Sequence, residues 1–181
     1  MRILGIDPGL VATGFGVVER SGSELIHVVH GTVRPPRSSP LAARLACLHR
    51  ALTQVIEEHR PDAVAIEQVF VANSPHAALV LGQARGAVLA AVAAGGLSVT
   101  EYTASQIKQG VAGSGAAPKP QVQAMVRRLL GLARAPADAS DALAAAIRHA
   151  HEPRLALLGV VGRRRRPRQP RRFAVAPRHA R

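Results

Sequence analysis

The chain is short of aromatic residues. Among 181 residues there is no tryptophan, and the four aromatics are Phe15, Phe70, Tyr102 and Phe173. A broad surface that reads single-stranded bases by stacking needs more of them, so multi-aromatic recognition is excluded. Cysteine is nearly absent: Cys47 stands alone, which excludes a disulfide framework or a cysteine zinc site within one chain. No internal repeat is present. Asp7 and Pro8 interrupt the first residues, so the N-terminus does not read as a signal peptide. The most apolar run, residues 86–97, is shorter than the ~20 residues that span a bilayer. These absences predict a cytoplasmic protein with no membrane segment.

Acids are also scarce. Eleven Asp and Glu face 24 Lys and Arg, for a net charge of +13. Such an excess points to an anionic partner such as nucleic acid or a membrane surface. Its distribution is uneven. Residues 163–181 hold nine arginines and no acid, leaving residues 1–162 at +4. With 48% hydrophobic residues the chain is expected to fold as one domain over 1–158. Residues 159–181 form a basic Arg/Pro-rich tail that is expected to be disordered.

Apolar runs at 2–6, 13–19 and 25–33 read as three strands, with Ser21-Gly22 making a hairpin of the last two. Leu41, Leu45, Leu48, Leu52, Val55 and Ile56 recur at steps of three and four, which predicts a helix ended by Pro61. A short strand follows at 63–67. Ser74-Pro75 reads as an N-cap and first helical residue, opening a helix that Gly95-Gly96 closes. A fifth strand at 97–102 and helices at 103–111, 120–130 and 137–150 complete the pattern. The order predicts a mixed five-stranded sheet flanked by helices, an α/β fold, with strands one, four and five parallel.

In open α/β sheets, ligand sites lie at the carboxyl ends of strands. Asp7 closes the first strand and Glu67 the fourth. Asp138 and Asp141, three residues apart, share one face of the last helix. Gathered like charges are costly unless a cation joins them. Two divalent ions about 3.5–4 Å apart can clamp the attacking and leaving oxygens of a phosphodiester. Each acid also has an ordinary reading. Asp7 before Pro-Gly suits a turn, and Asp138 suits a helix N-terminus. Glu67, at the end of Ala-Val-Ala-Ile, is harder to assign that way.

The blocks Asp7-Pro8-Gly9 with Thr13-Gly14, Ala65-Ile66-Glu67-Gln68-Val69-Phe70, Leu81-Gly82-Gln83-Ala84-Arg85-Gly86 and Ala137-Asp138-Ala139-Ser140-Asp141-Ala142-Leu143-Ala144 resemble the RuvC family. These are bacterial crossover-junction endodeoxyribonucleases, or Holliday junction resolvases. The resemblance spans about residues 1–158 in the family's order. It implies an RNase H-like fold and a homodimer that nicks two symmetry-related strands of a four-way DNA junction. It also implies a Mg2+ or Mn2+ requirement, with two ions per site. By the resemblance, Asp7, Glu67, Asp138 and Asp141 are the catalytic and metal-binding acids. RuvA and RuvB branch-migration proteins are the implied partners.

The same resemblance makes Phe70 an aromatic that stacks on a base near the junction centre, where an apolar wedge favours unstacked DNA. It makes Lys108 and Lys119, the only lysines, phosphate contacts. Pro120 departs from the family pattern after the lysine, Asn73-Ser74 lacks a lysine found in some relatives, and the Arg-rich tail has no counterpart. Arg85 is read as packing at a dimer interface or pairing with an acid. His149 and His151 are read as surface residues and are not assigned to metal. Three other classes remain open on the sequence: an actin-like ATPase, for which the chain is short; a related nuclease acting on ribosomal RNA precursors; and a non-catalytic DNA-binding protein.

Overall fold

The first strand is apolar between its two charged ends because both faces are covered there. β1 (Arg2–Asp7) buries Ile3, Leu4 and Ile6 completely. It pairs antiparallel with β2 (Thr13–Ser21), which turns through Gly22 into β3 (Glu24–Val33), also antiparallel. Gly22 adopts φ +61, a backbone region that glycine enters without a Cβ penalty. A computed structural model describes residues 1–68 and 74–152. Phe70 and the Arg-rich tail therefore lie outside the described residues.

After β3, α1 (Leu41–His59) crosses to β4 (Ala63–Glu67), and α2 (Pro75–Ala94) crosses to β5 (Val99–Tyr102). Both crossovers make parallel pairs, β1 with β4 and β4 with β5. The sheet order is β3-β2-β1-β4-β5. Then follow α3 (Ala104–Ala112), α4 (Lys119–Leu130) and α5 (Ala137–Ala150). The mixed five-stranded sheet is as expected, and each element lies within about two residues of its expected bounds. β5 begins at Val99, two residues later than expected, although the Ser98 carbonyl accepts from Val64 N–H at 3.2 Å.

Two apolar cores cover the faces of the sheet. α1 and α2 pack on one through Leu48, Leu52, Val88 and Val92. α5 packs on the other through Leu143 and Ile147, with α3 and α4 outside it. Glycine makes the α5 layer possible. A Cβ built on Gly14 would overlap the Asp138 carbonyl, and one on Gly5 would overlap the Ala142 carbonyl. The bare backbone thus lets α5 lie directly across β1 and β2.

Three expectations need correction. His149 is not a surface residue: it is 6% exposed, because α5 is enclosed between the sheet and α3. Its Nδ1 lies 2.9 Å from the Tyr102 hydroxyl. Ser74 precedes α2 but its side chain makes no cap hydrogen bond. The apolar run is also longer than 86–97. α2 has 20 residues and is the one helix among the described residues with the length and composition to cross a membrane. It packs along α1 and buries only Ala84, Val88, Ala91 and Val92.

Candidate active site

β1, β3, β4 and β5 all end at one edge of the sheet, because two antiparallel steps restore the direction of β3. Asp7 and Glu67 are the last residues of adjacent parallel strands. Asp138 and Asp141 reach the same edge from the first turns of α5, which the glycine contacts press against β1 and β2. The sheet and one helix thus bring together the four acids expected from the sequence.

The electrostatics record that convergence. Burial, then the carboxylates of Asp141 and Glu67, push the Asp7 carboxyl up to about 7; Lys119 partly offsets this, and Asp138 adds to it. The Glu67 carboxyl is also raised, first by burial and then by Asp141, with Lys119 and Lys108 opposing. Burial comes first for both groups, and the neighbouring carboxylates add to it.

Two cations hold the helix acids. Lys119 Nζ donates to Asp141 Oδ2 at 2.6 Å, and Arg34 Nη2 donates to Asp138 Oδ2 at 2.9 Å. Lys119, the first residue of α4, has its ammonium held further toward the charged form, chiefly by the hydrogen bond to Asp141. Lys108 and Lys119 line a cleft of about 270 Å³ with Glu67, Asp141, Ile107 and Val122. Both lysines expected to meet phosphate therefore border the acids. Arg85 pairs with Glu101 at 2.6 Å and donates to the Glu67 carbonyl at 3.1 Å. Of its two expected roles, pairing with an acid is the one seen, and the second bond braces the backbone that carries Glu67.

Comparison with known proteins agrees with this architecture. The family model for "Crossover junction endodeoxyribonuclease RuvC" matches residues 3–149. The chain belongs to the RuvC family. It is 53% identical over 165 residues to the RuvC of Thiobacillus denitrificans, covering 91% of this chain and 96% of that protein. The RuvC of Geobacter sulfurreducens is 53% identical over 152 residues, 83% of this chain and 93% of that one. The solved Thermus thermophilus RuvC in complex with Holliday junction substrate superposes with TM-score 0.81 at 37% identity, covering 86% of this chain and 96% of that one. Membership makes the chain a crossover junction endodeoxyribonuclease, a DNA-cleaving enzyme of an RNase H-like α/β fold.

RuvC nucleases depend on metal, and the residues present fit one. The donor set is carboxylate oxygen throughout, the ligand type of hard divalent cations. The Asp7 carboxyl is raised in part by its like-charged neighbours, a cost that a cation would remove. Among the described residues no three side chains are already gathered tightly enough to hold an ion. The physical reason is charge: Asp138 and Asp141 turn to Arg34 and Lys119 instead.

Sequence reading missed Arg34, which precedes Pro35-Pro36. Its position one residue beyond a strand that ends at the site edge was the available signal. It also missed the buried Tyr102–His149 contact. The strand position of Tyr102, in register with Glu67, was the clue.

Proposed function

We propose that the chain resolves four-way DNA junctions by paired symmetric nicks, as a homodimer in which each copy cuts one strand. The observation that carries the reading is the meeting of Asp7 and Glu67, from adjacent parallel strands, with Asp138 and Asp141 on α5. These four acids are the proposed catalytic and metal-binding residues, holding two Mg2+ ions, with Mn2+ as a substitute. A bound divalent cation lowers the pKa of an attacking water and stabilises charge on the leaving oxygen.

The side chains do the rest. Asp7, Glu67, Asp138 and Asp141 would hold the cations, and the last two would give up Arg34 and Lys119 to do so. Lys119, once released from Asp141, neutralises phosphate together with Lys108. Arg85 keeps the Glu67 backbone in place. The strand ends as a 5′-phosphate and a 3′-hydroxyl.

Phe70, three residues past Glu67, is assigned the wedge that keeps the crossover open. α2 supports the dimer. Apart from His76, Gln83 and Arg85 it is apolar, a pattern that calls for burial, yet Leu79 is 62% exposed. A second copy would cover this face. RuvA and RuvB are the proposed partners, and the cytoplasm the proposed location.

The test is a synthetic four-way junction with Mg2+. Paired nicks at symmetric positions are expected. Asp7→Asn and Glu67→Gln should keep junction binding and stop cleavage. Phe70→Ala should weaken cleavage while leaving metal binding intact. A lack of nicking in either metal, over a range of junction sequences, would refute the reading.

A further inference from the structure

Lys108 and Lys119 supply cations on the α3 and α4 side of the acids. The opposite side holds Arg34. β3 is the outer strand of the sheet, and its Thr32 is level with Gly14 and so with Asp7. Two strand spacings, roughly 9.6 Å, separate β3 from β1. Arg34 follows the last residue of β3 and so leaves the sheet at the edge where the acids converge. Along that edge Arg34, just past β3, meets Asp138, whereas Lys108 and Lys119 line the cleft with Glu67 and Asp141.

We propose that Arg34 is a second phosphate-binding flank of the site, gripping the DNA backbone on the side opposite Lys108 and Lys119. Its present partner is Asp138, one of the acids assigned above to metal, so the inference rests on that reading. Once Asp138 turns to a divalent cation, the guanidinium loses its anion. A phosphate on the incoming strand is the replacement.

Three features suit the exchange. The Arg34 side chain is 59% exposed, and an ion pair so open to water breaks readily. The planar guanidinium fork matches two phosphate oxygens. Pro35 restricts Arg34 to an extended backbone and is itself buried, which anchors the start of the side chain. The wider segment is basic as well. Arg37 follows three residues on.

The test is binding of a fluorescent four-way junction in Ca2+, read by anisotropy across a range of NaCl. Each neutralised phosphate contributes about −0.9 to the slope of log K against log salt. Arg34→Gln should flatten the slope by about one contact at an unchanged melting temperature. Arg34→Lys should restore it, and Arg50→Gln, on the exposed side of α1, should match wild type. An unchanged slope in Arg34→Gln overturns the proposal and leaves Arg34 as a local ion pair. An equal flattening in Arg50→Gln overturns it in favour of a general charge effect. If the wild-type chain itself shows no junction binding, the proposed function fails first.

Discussion

Removing one negative charge from the candidate site should make the metal-free protein more stable, by an amount set by Asp7. Burial and its like-charged neighbours raise this carboxyl from 3.8 to about 7. At about 1.36 kcal/mol for each factor of ten, the ionised carboxylate costs the folded state about 4 kcal/mol above pH 7. The sign follows from proton binding. Between pH 4 and 7 the folded state holds a proton that the unfolded chain has released, so stability falls as pH rises through this window. At pH 5 the cost is only about 1.6 kcal/mol. Asparagine mimics the neutral acid, so Asp7→Asn should stabilise the metal-free chain by about 4 kcal/mol at pH 8 and by under half of that at pH 5. For a chain of this size the gain at pH 8 is roughly 8–16 °C in melting temperature. Thermal unfolding by circular dichroism in EDTA at both pH values measures it. Saturating Mg2+ should narrow the gap by stabilising the wild type. Equal melting of wild type and variant in EDTA at pH 8 would refute the account of a buried Asp7 carboxylate among like charges.

Gly14→Ala should lower stability by about 1–3 kcal/mol, since the new methyl overlaps the Asp138 carbonyl; urea unfolding measures it, and junction cleavage should fall even where the protein is fully folded. Arg85→Ala should reduce cleavage about 10- to 100-fold with junction binding retained, because misplacing a reacting group carries that order of cost; single-turnover nicking beside a binding titration separates the two effects. Burial holds the His149 imidazole below its ordinary 6.5, so its contribution to stability is present above that pH and fades on acidification. His149→Gln should therefore lose less stability than wild type between pH 7 and 5, measured by urea unfolding in EDTA. Tyr102→Phe, which removes the hydroxyl facing His149, should cost about 0.5–1.5 kcal/mol in the same assay at pH 7.

The elements were legible because their ends carry local chemistry. Pro75 opens α2, Thr103 and Gln106 form a reciprocal cap on α3, and Gly113 and Gly131 close α3 and α4 in the left-handed region. The pairing of β1 with β4 was legible for a topological reason: a helical crossover between two apolar runs makes neighbours parallel. That alone aligns Asp7 with Glu67. The illegible parts are contacts between residues far apart in the chain. Arg34 meets Asp138 across 104 residues, and no periodicity encodes it. His149 looks like a surface residue beside Arg148, but α5 is covered on several sides. Its run of small residues, Ala142 to Ala146 around Leu143, is the composition of a helix that other elements approach closely.

Charge placement explains how an acidic site can work on a polyanion. A strand of DNA approaching Asp7, Glu67, Asp138 and Asp141 alone would be repelled. The surrounding cations change that balance in two stages. Before metal binds, Lys119 and Arg34 sit on Asp141 and Asp138 and limit the accumulated negative charge. If divalent cations take the carboxylates as proposed, the same side chains would be free to neutralise phosphate. Both pairs are exposed on the cation side, with Lys119 at 61% and Arg34 at 59%, so little is lost in the exchange. Buried pairs would have resisted it. The net charge of +13 therefore contributes less to the chemistry than the position of a few cations around four acids.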